Sequence, residues 1–419
     1  MRWVNSGSVP GWDPVDWLLE GVRKGLDAAG ESLSGKQAQY GRARLLVGLP
    51  LFGTGAGGFD AVRGEVLAGI LRECAEAARR HEYDVVIACW RRSDYVALQH
   101  QRRKSDAASS VLQDSLMREA WRLGELAGKG NLVLFLGAGI SQPAGLPSWT
   151  GLIRELAKAA NDKDMVAGLE EIHVLDAASL LKEDLGPRFH EILRRILSQT
   201  LHPLGHALLA SLRAPEAITT NFDTLYEQAC RAPFPDAPRT LPWDRAEPGK
   251  PWLLKMHGDI DHERLVLARE NYLFFDAYWR PLASMVQAAM MTRHLLFAGF
   301  SLTDENFIRL GRDVGLLLKR MGRDDVLGTV LSLHEDPLRA KLWRPHLQFI
   351  PMGPRNADMA PAARVLDIFL DVVAMNATSG EESYLLDPRY RALVDDADSR
   401  VFSKLIELGE AVNAEHGRG

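Results

Sequence analysis

Four short segments of this chain combine residue types and spacing suited to chemistry. Gly137-Ala138-Gly139-Ile140-Ser141 follows a wholly apolar run, Leu132–Leu136. Glycines at such a place let the backbone approach a pyrophosphate, with main-chain N–H groups donating to it. A bare Gly-x-Gly is more often only a tight turn, and the spacing is not that of the dehydrogenase fingerprint. Thr219-Thr220-Asn221-Phe222-Asp223 ends a second run. The Asn221 amide offers a donor and an acceptor, enough to hold a water or a ribose hydroxyl beside a reacting carbon. The plainer role there is a helix cap, which suits Asp223. His257, in Lys255-Met256-His257-Gly258-Asp259-Ile260, ionises near neutrality and can take a proton from a hydroxyl or an attacking water. A lone histidine at a strand end is more often a structural donor. Asp259 either orients that imidazole or is a loop acid, and the loop acid is the simpler reading. In Ala298-Gly299-Phe300-Ser301-Leu302-Thr303-Asp304, Gly299 permits a sharp turn and Ser301 can bond a phosphate or ribose. Asp304 can start the helix that follows.

Each segment must be held at the end of a strand. Apolar runs predict strands at Leu132–Leu136, Ala217–Thr219, Trp252–Lys255, Leu265–Leu267, Leu295–Ala298, Val326–Ser332 and Gln348–Pro351. Amphipathic stretches predict helices near Val111–Ala127, Ser148–Ala160, Leu204–Leu212, Tyr272–Met291, Asp304–Lys319 and Pro361–Val373, with Pro361 in a first turn where its missing N–H costs nothing. Alternating apolar strands and helices predict an α/β fold with a doubly wound parallel sheet, Rossmann-like, whose carboxyl edge gathers the four segments. Ahead of it, Arg44–Leu49, the glycine-dense turn 50–58, a helix over Val62–His81 and Asp84–Trp90 form a strand–turn–helix–strand unit, hence a parallel pair. Lys104–Ser109 reads as a polar connector. The organisation expected is an N-terminal accessory α/β unit over 1–104, a catalytic domain over 105–380 and a helical tail over 381–419.

Composition narrows the class. The chain has 419 residues, 46% hydrophobic and 25% charged, with a formal net charge of −5, so no basic character argues for direct nucleic-acid binding. No apolar run is long enough to span a bilayer, and no secretory signal is visible at the start. The three cysteines, Cys74, Cys89 and Cys230, contain no Cys-x-x-Cys pair. That excludes a four-cysteine zinc site and fits a reducing, cytoplasmic compartment.

The longer string Gly137-Ala-Gly-Ile-Ser-Gln-Pro-Ala-Gly-Leu-Pro-Ser-Trp149 resembles the phosphate loop of sirtuin-like proteins almost end to end. With the Asn221, His257 and Ser301 segments in the same order over about residues 130–350, the chain resembles the bacterial sirtuin-like branch, which includes NAD-degrading effectors of anti-phage defence. Leu265-Val-Leu-Ala-Arg-Glu-Asn-Tyr272, followed by Tyr278-Trp279, also resembles that branch. The resemblance implies NAD+ as substrate, Asn221 and His257 as the catalytic pair, and no metal. It implies NAD+ contacts from Gly137, Ala138, Gly139, Ile140, Ser141, Thr220, Asp223, Gly299, Ser301 and Asp304. It also implies a homo-oligomer and a HerA-like ATPase as a candidate partner.

Two departures from deacylating sirtuins bear on the reaction. The zinc module cannot be built, and Pro147-Ser148-Trp149-Thr150 stands where those enzymes carry Asp-Phe-Arg. The reading that follows is an NAD+ glycohydrolase with water as acceptor, giving ADP-ribose and nicotinamide. The alternatives are an NAD-dependent protein deacylase and a non-catalytic NAD or ADP-ribose sensor that regulates a partner ATPase. The turn 50–58 and its helix loosely resemble half of an ADP-ribose-binding macro domain, although a degenerate unit used for assembly is the plainer reading.

Overall fold

The computed structural model describes residues 13–39, 41–55, 57–104, 112–231, 237–262, 264–381 and 383–416. The chain forms two units, one of Met1–Met117 with Met375–Gly419 and one of Arg118–Ala374. Among the described residues, no helix is long and apolar enough to cross a membrane.

In the first unit, β1 (Leu46–Pro50) and β2 (Asp84–Ala88) pair in parallel. The helix Arg63–His81 connects them, and the helix Pro14–Leu33 lays Leu19, Val22 and Leu26 against the same core. This is the expected strand–turn–helix–strand unit. The expected connector Lys104–Ser109 lies, from residue 105 on, outside the described residues. The C-terminal segment, expected as a separate tail over 381–419, falls within this unit. Its Tyr384, Leu385, Tyr390, Leu393 and Phe402 share a core with Leu67 and Val96, because aromatic and aliphatic faces of that size are costly to leave in water. Charge reinforces the packing. Arg63 Nη1 donates to both Asp94 oxygens at 2.9 and 3.0 Å, and the Tyr390 hydroxyl donates to Asp94 at 2.6 Å.

The second unit is built on a seven-stranded, wholly parallel sheet: β3 (Leu132–Leu136), β4 (Glu216–Thr219), β5 (Arg239–Leu241), β6 (Trp252–Lys255), β7 (His294–Ala298), β8 (Gly328–Ser332) and β9 (Leu347–Pro351). Their order is β5-β6-β4-β3-β7-β8-β9. From β3 the chain passes to β4, out to the edge strand β5 and back to β6 between them, then restarts at β7 on the other side of β3, which is doubly wound topology with its switch between β3 and β7. All five β3 residues are buried, so both faces of the sheet are covered, as a parallel sheet requires. Val133, Phe135, Phe297, Phe300 and Phe307 share one core, with Phe135 ring centroids 4.7–5.1 Å from the other three phenylalanines.

Three features differ from the sequence reading. Leu265–Leu267 is not a strand; Val266 N donates a single hydrogen bond to His257 O at 2.8 Å. The expected helix Tyr272–Met291 is broken into Arg269–Leu273, Phe275–Tyr278 and Arg280–Thr292, with Pro281 in the first turn of the last. Proline cannot continue a helix from the preceding turn but starts one well. Between β3 and β4 the helices Trp149–Ala160, Val174–Leu185 and Arg188–Leu197 bury their apolar faces on one another, with Phe222, Ile260 and Leu267. They form a core of their own.

Candidate active site

The four sequence segments meet at the carboxyl edge of the large sheet. Thr219 is in register with Lys255, so Asn221 and His257 each lie two residues past the ends of adjacent strands. Main-chain bonds join the loops. Met256 N donates to Thr219 O at 2.9 Å and Ile260 N to Phe222 O at 3.0 Å, while Gly139 N donates to Gly299 O at 2.8 Å.

Around Asn221 the polar groups leave one consistent arrangement. Asn221 Nδ2 donates to Gly137 O and to Ser141 Oγ, both at 3.2 Å. A carbonyl only accepts, so the amide cannot be flipped. Ser141 Oγ in turn gives its one proton to Asp223 Oδ2 at 2.9 Å. The Asn221 Oδ1 atom is left buried without a partner. It is an acceptor for which the described residues offer no donor. Asp223 Oδ1 also accepts from Leu225 N at 3.1 Å, so the cap expected at Asp223 forms, and the same carboxylate orients Ser141.

His257 is 2% exposed and packs edge-on against Tyr272 and Phe275. Burial lowers its pKa, partly opposed by the Asp304 carboxylate, so the imidazole is held neutral. Its Nε2 lies 3.4 Å from Asp304 Oδ2 without hydrogen-bond geometry and has no other partner. Asp304 is the N-cap of the helix Glu305–Arg320, accepting from Phe307 N at 2.8 Å, and its second oxygen accepts from the Tyr272 hydroxyl at 2.8 Å. The carboxylate beside the imidazole is therefore Asp304. Asp259 turns the other way.

Asp259 is drawn off by Lys255, which is fully buried. Lys255 Nζ reaches Asp259 Oδ2 at 2.6 Å, Glu227 Oε1 at 3.0 Å and Asp223 O at 2.6 Å. Burial opposes this cation, but Glu227, Asp259 and Asp223 outweigh it and hold its pKa above the ordinary lysine value. Burial raises the Glu227 pKa, as expected where two carboxylates share one cation. The lysine thus pins the loop carrying Asn221 to the loop carrying His257. Lys255→Met should cost about 3–5 kcal/mol of stability, because it leaves two buried acids without their cation. Urea denaturation reads this directly, and a loss below about 1 kcal/mol would mean that the cluster does not hold the loops.

The glycine loop works differently from the sequence expectation. The N–H groups of Gly137, Gly139, Ile140 and Ser141 donate to Ala298 O, Gly299 O, Gly137 O and Ala138 O. They serve the fold, and the glycines are needed because two loop backbones touch. A Cβ on Gly137 would lie 2.5 Å from Gly299 O. Ala138 and Gly139 are exposed at the mouth of the site, with Ile140 buried beneath them. Thr220 is half-buried, its N–H bonded to Leu136 O at 3.3 Å. Ser301 is exposed, with its hydroxyl 2.6 Å from that of Thr303.

Three groups at this edge escaped the sequence reading. His206, on the helix Leu204–Ser211, is buried with Nε2 3.5 Å from Ser141 Oγ. Burial lowers its pKa to about 4. Its one sequence signal is a polar residue within an otherwise apolar helix. In the sequence Tyr272 reads only as the end of a segment with a family resemblance and the start of a helix, with no part in the site. Past the end of β8, Ser332, His334, Asp336, Arg339 and Arg355 line a cavity of about 330 Å³, and Ser332 Oγ is buried without a partner. The strand was legible, but nothing in its sequence marks the cavity.

Residues 215–343 match a family model described as a SIR2-like domain. That stretch takes in the Asn221, His257 and Ser301 segments, and the sirtuin-like resemblance of the motifs is borne out. The chain is 29% identical over 215 residues to the NAD(+) hydrolase ThsA of Enterococcus faecium, covering 48% of this chain and 44% of that protein. It is 27% identical over 186 residues to the NAD(+) hydrolase ThsA of Acinetobacter baumannii (strain 532279), covering 42% and 38%. It is 24% identical over 207 residues to the defense-associated sirtuin 2 of Bacillus subtilis, covering 47% and 20%. The chain thus spans less than half the length of these curated relatives. Among solved structures, a Sir2 complex with the inhibitor EX-527, 2'-O-acetyl-ADP-ribose and a deacetylated p53 peptide aligns at 17% identity and a TM-score of 0.28, over 56% of this chain and 92% of that one.

Proposed function

We propose that this chain hydrolyses NAD+ to ADP-ribose and nicotinamide, and that the site at the carboxyl edge of the large sheet does so. The observation that carries the reading is a pair of buried polar atoms on adjacent loops, Asn221 Oδ1 and His257 Nε2, each without a hydrogen-bond partner among the described residues. Asn221 Oδ1 is an acceptor and His257 belongs to a neutral imidazole. The similarity to NAD(+) hydrolases supports the same reading.

The chemistry asks little more of the protein. The bond between the ribose carbon and the nicotinamide nitrogen breaks with both electrons going to nitrogen. Cationic nicotinamide becomes neutral, so its departure needs no acid. Water adds to the oxocarbenium-like carbon and loses one proton. Asn221 Oδ1 accepts a hydrogen bond from that water or from a ribose hydroxyl, and His257 takes the proton. Ala138, Gly139 and Ser301 face the open side for the phosphates, with Ser141, Asp223 and Asp304 behind them as positioning groups. A dinucleotide crosses a doubly wound sheet at its switch point, so the adenosine half extends toward the cavity past β8.

The wider setting follows the same family likeness. We read the protein as an anti-phage effector that depletes cytoplasmic NAD+ as a homo-oligomer, with a HerA-like ATPase as candidate partner. The N-terminal unit is read as an assembly module. Incubating the purified chain with NAD+ and separating the products should give ADP-ribose and nicotinamide with no acyl donor present. Consumption of NAD+ only alongside acetylated peptide, with O-acetyl-ADP-ribose formed, would make it a deacylase instead. Binding by calorimetry with unchanged nucleotide would favour the sensor.

A further inference from the structure

Tyr272 is the part of this site that neither the motifs nor the proposed reaction uses. It ends the segment Leu265–Tyr272, on the short helix Arg269–Leu273. Its hydroxyl donates to Asp304 Oδ2 at 2.8 Å, and its ring lies edge-on to His257 with centroids 5.5 Å apart. Asp304 Oδ1 is taken by Phe307 N. Both carboxylate oxygens are thereby engaged, and the imidazole, 3.4 Å from Oδ2, is left without a hydrogen bond from Nε2.

We propose that Tyr272 is a positioning residue: by holding Asp304 Oδ2 it keeps that carboxylate out of hydrogen-bonding line with His257, so that Nε2 stays open to take a proton from the substrate. This rests on the reading of His257 as the base in NAD+ hydrolysis. A carboxylate locked onto an imidazole holds its proton and makes the ring cationic at neutral pH. A cationic ring cannot accept another proton. Burial alone would keep the ring neutral but would leave a nearby free carboxylate seeking a donor. The tyrosine supplies that donor.

The charged groups around His257 leave Asp304 as the one that decides its state. On its own segment, Lys255 is paired with both Asp259 and Glu227. From the helix Arg269–Leu273 it meets Tyr272, and from the helix Phe275–Tyr278 the ring of Phe275. From the cap of the helix Glu305–Arg320 it meets Asp304. Burial pushes the Tyr272 hydroxyl far above the ordinary tyrosine range, so it remains a donor throughout the pH range of activity.

The test is a pair of substitutions with opposite expected signs. Tyr272→Phe keeps the ring and removes the donor. It should free Asp304 to pair with His257, raise the imidazole pKa and move the acidic limb of the kcat profile to higher pH by about one unit. Asp304→Asn keeps a good helix cap but removes the anion. It should move the same limb to lower pH. Titration of His257 by NMR in the full-length protein reads the same two shifts without any turnover. A wild type that leaves NAD+ intact would refute the hydrolase reading, while the NMR titration would still decide the role of Tyr272. Shifts in the same direction for both variants, or no shift for Tyr272→Phe in a protein that melts normally, would overturn the proposal.

Discussion

His257→Ala should lower NAD+ hydrolysis by roughly 10²-fold or more while leaving NAD+ affinity within a few-fold, the usual signature of a lost general base. The imidazole is neutral, buried and without a hydrogen-bond partner on Nε2, so its removal strips no other residue of a bond made by that atom. Asn221→Ala should be at least as damaging, for a different reason. Its amide donates to both Gly137 O and Ser141 Oγ, and removing it loses both bonds and the acceptor Oδ1, although Gly137 O keeps Ile140 N and Ser141 Oγ keeps Asp223. Each lost bond costs about 0.5–1.5 kcal/mol, so stability should fall with activity in this variant, whereas His257→Ala loses ring packing against Tyr272 and Phe275 but no hydrogen bond from Nε2. Product chromatography with calorimetric binding separates the two outcomes. A His257→Ala protein that cleaves NAD+ at the native rate removes His257 from the mechanism.

Gly299→Ala should be the most destructive single methyl in the sheet edge. Gly299 has φ of +64°, and a Cβ there would lie 2.2 Å from Ile140 N and 2.8 Å from Gly139 C. The left-handed backbone costs an alanine about 1 kcal/mol, and forcing two loop backbones apart adds about 1–3 kcal/mol. Gly145→Ala supplies the contrast. It has φ of +84°, but nothing lies within 4 Å of its Cβ, so only the conformational cost of about 1 kcal/mol applies. Thermal melts of both variants should show Gly299→Ala markedly less stable, with NAD+ binding lost in step. Equal melting temperatures would mean that the close approach of the two loops is not required. A side chain at Gly139 likewise meets Gly299 O at 2.8 Å, so valine there strikes the protein's own backbone before any ligand.

Much of the site could be read before any coordinates. Apolar runs of four or five residues that end in glycine or small polar residues name their own strands, since both faces of a parallel sheet must be buried. That placed the segments after β3, β4, β6 and β7, and with them Asn221, His257 and Ser301. Helix caps were similarly local: Asp304 and Asp223 sit where a side-chain oxygen can reach a main-chain N–H two or three residues on.

What the tertiary structure decided is which polar groups face one another across sheet order. Lys255 has Asp259 four residues away and Glu227 on another element, and the need to neutralise a fully buried cation draws Asp259 from His257. Asp304, remote in sequence, takes that place from the loop after β7, although β4 and β3 separate its strand from β6 in the sheet. Tyr272 reaches it from a short helix, Arg269–Leu273, that stands apart from the long one periodicity predicts. The glycine loop shows the same division. Its composition announced a close approach, but the partner is the backbone of Gly299, and main-chain N–H groups that looked free for a phosphate are satisfied within the protein. Local sequence fixes where a strand ends and a helix begins, because those depend on neighbours along the chain. Burial and charge pairing depend on neighbours in space, and only the folded sheet supplies them.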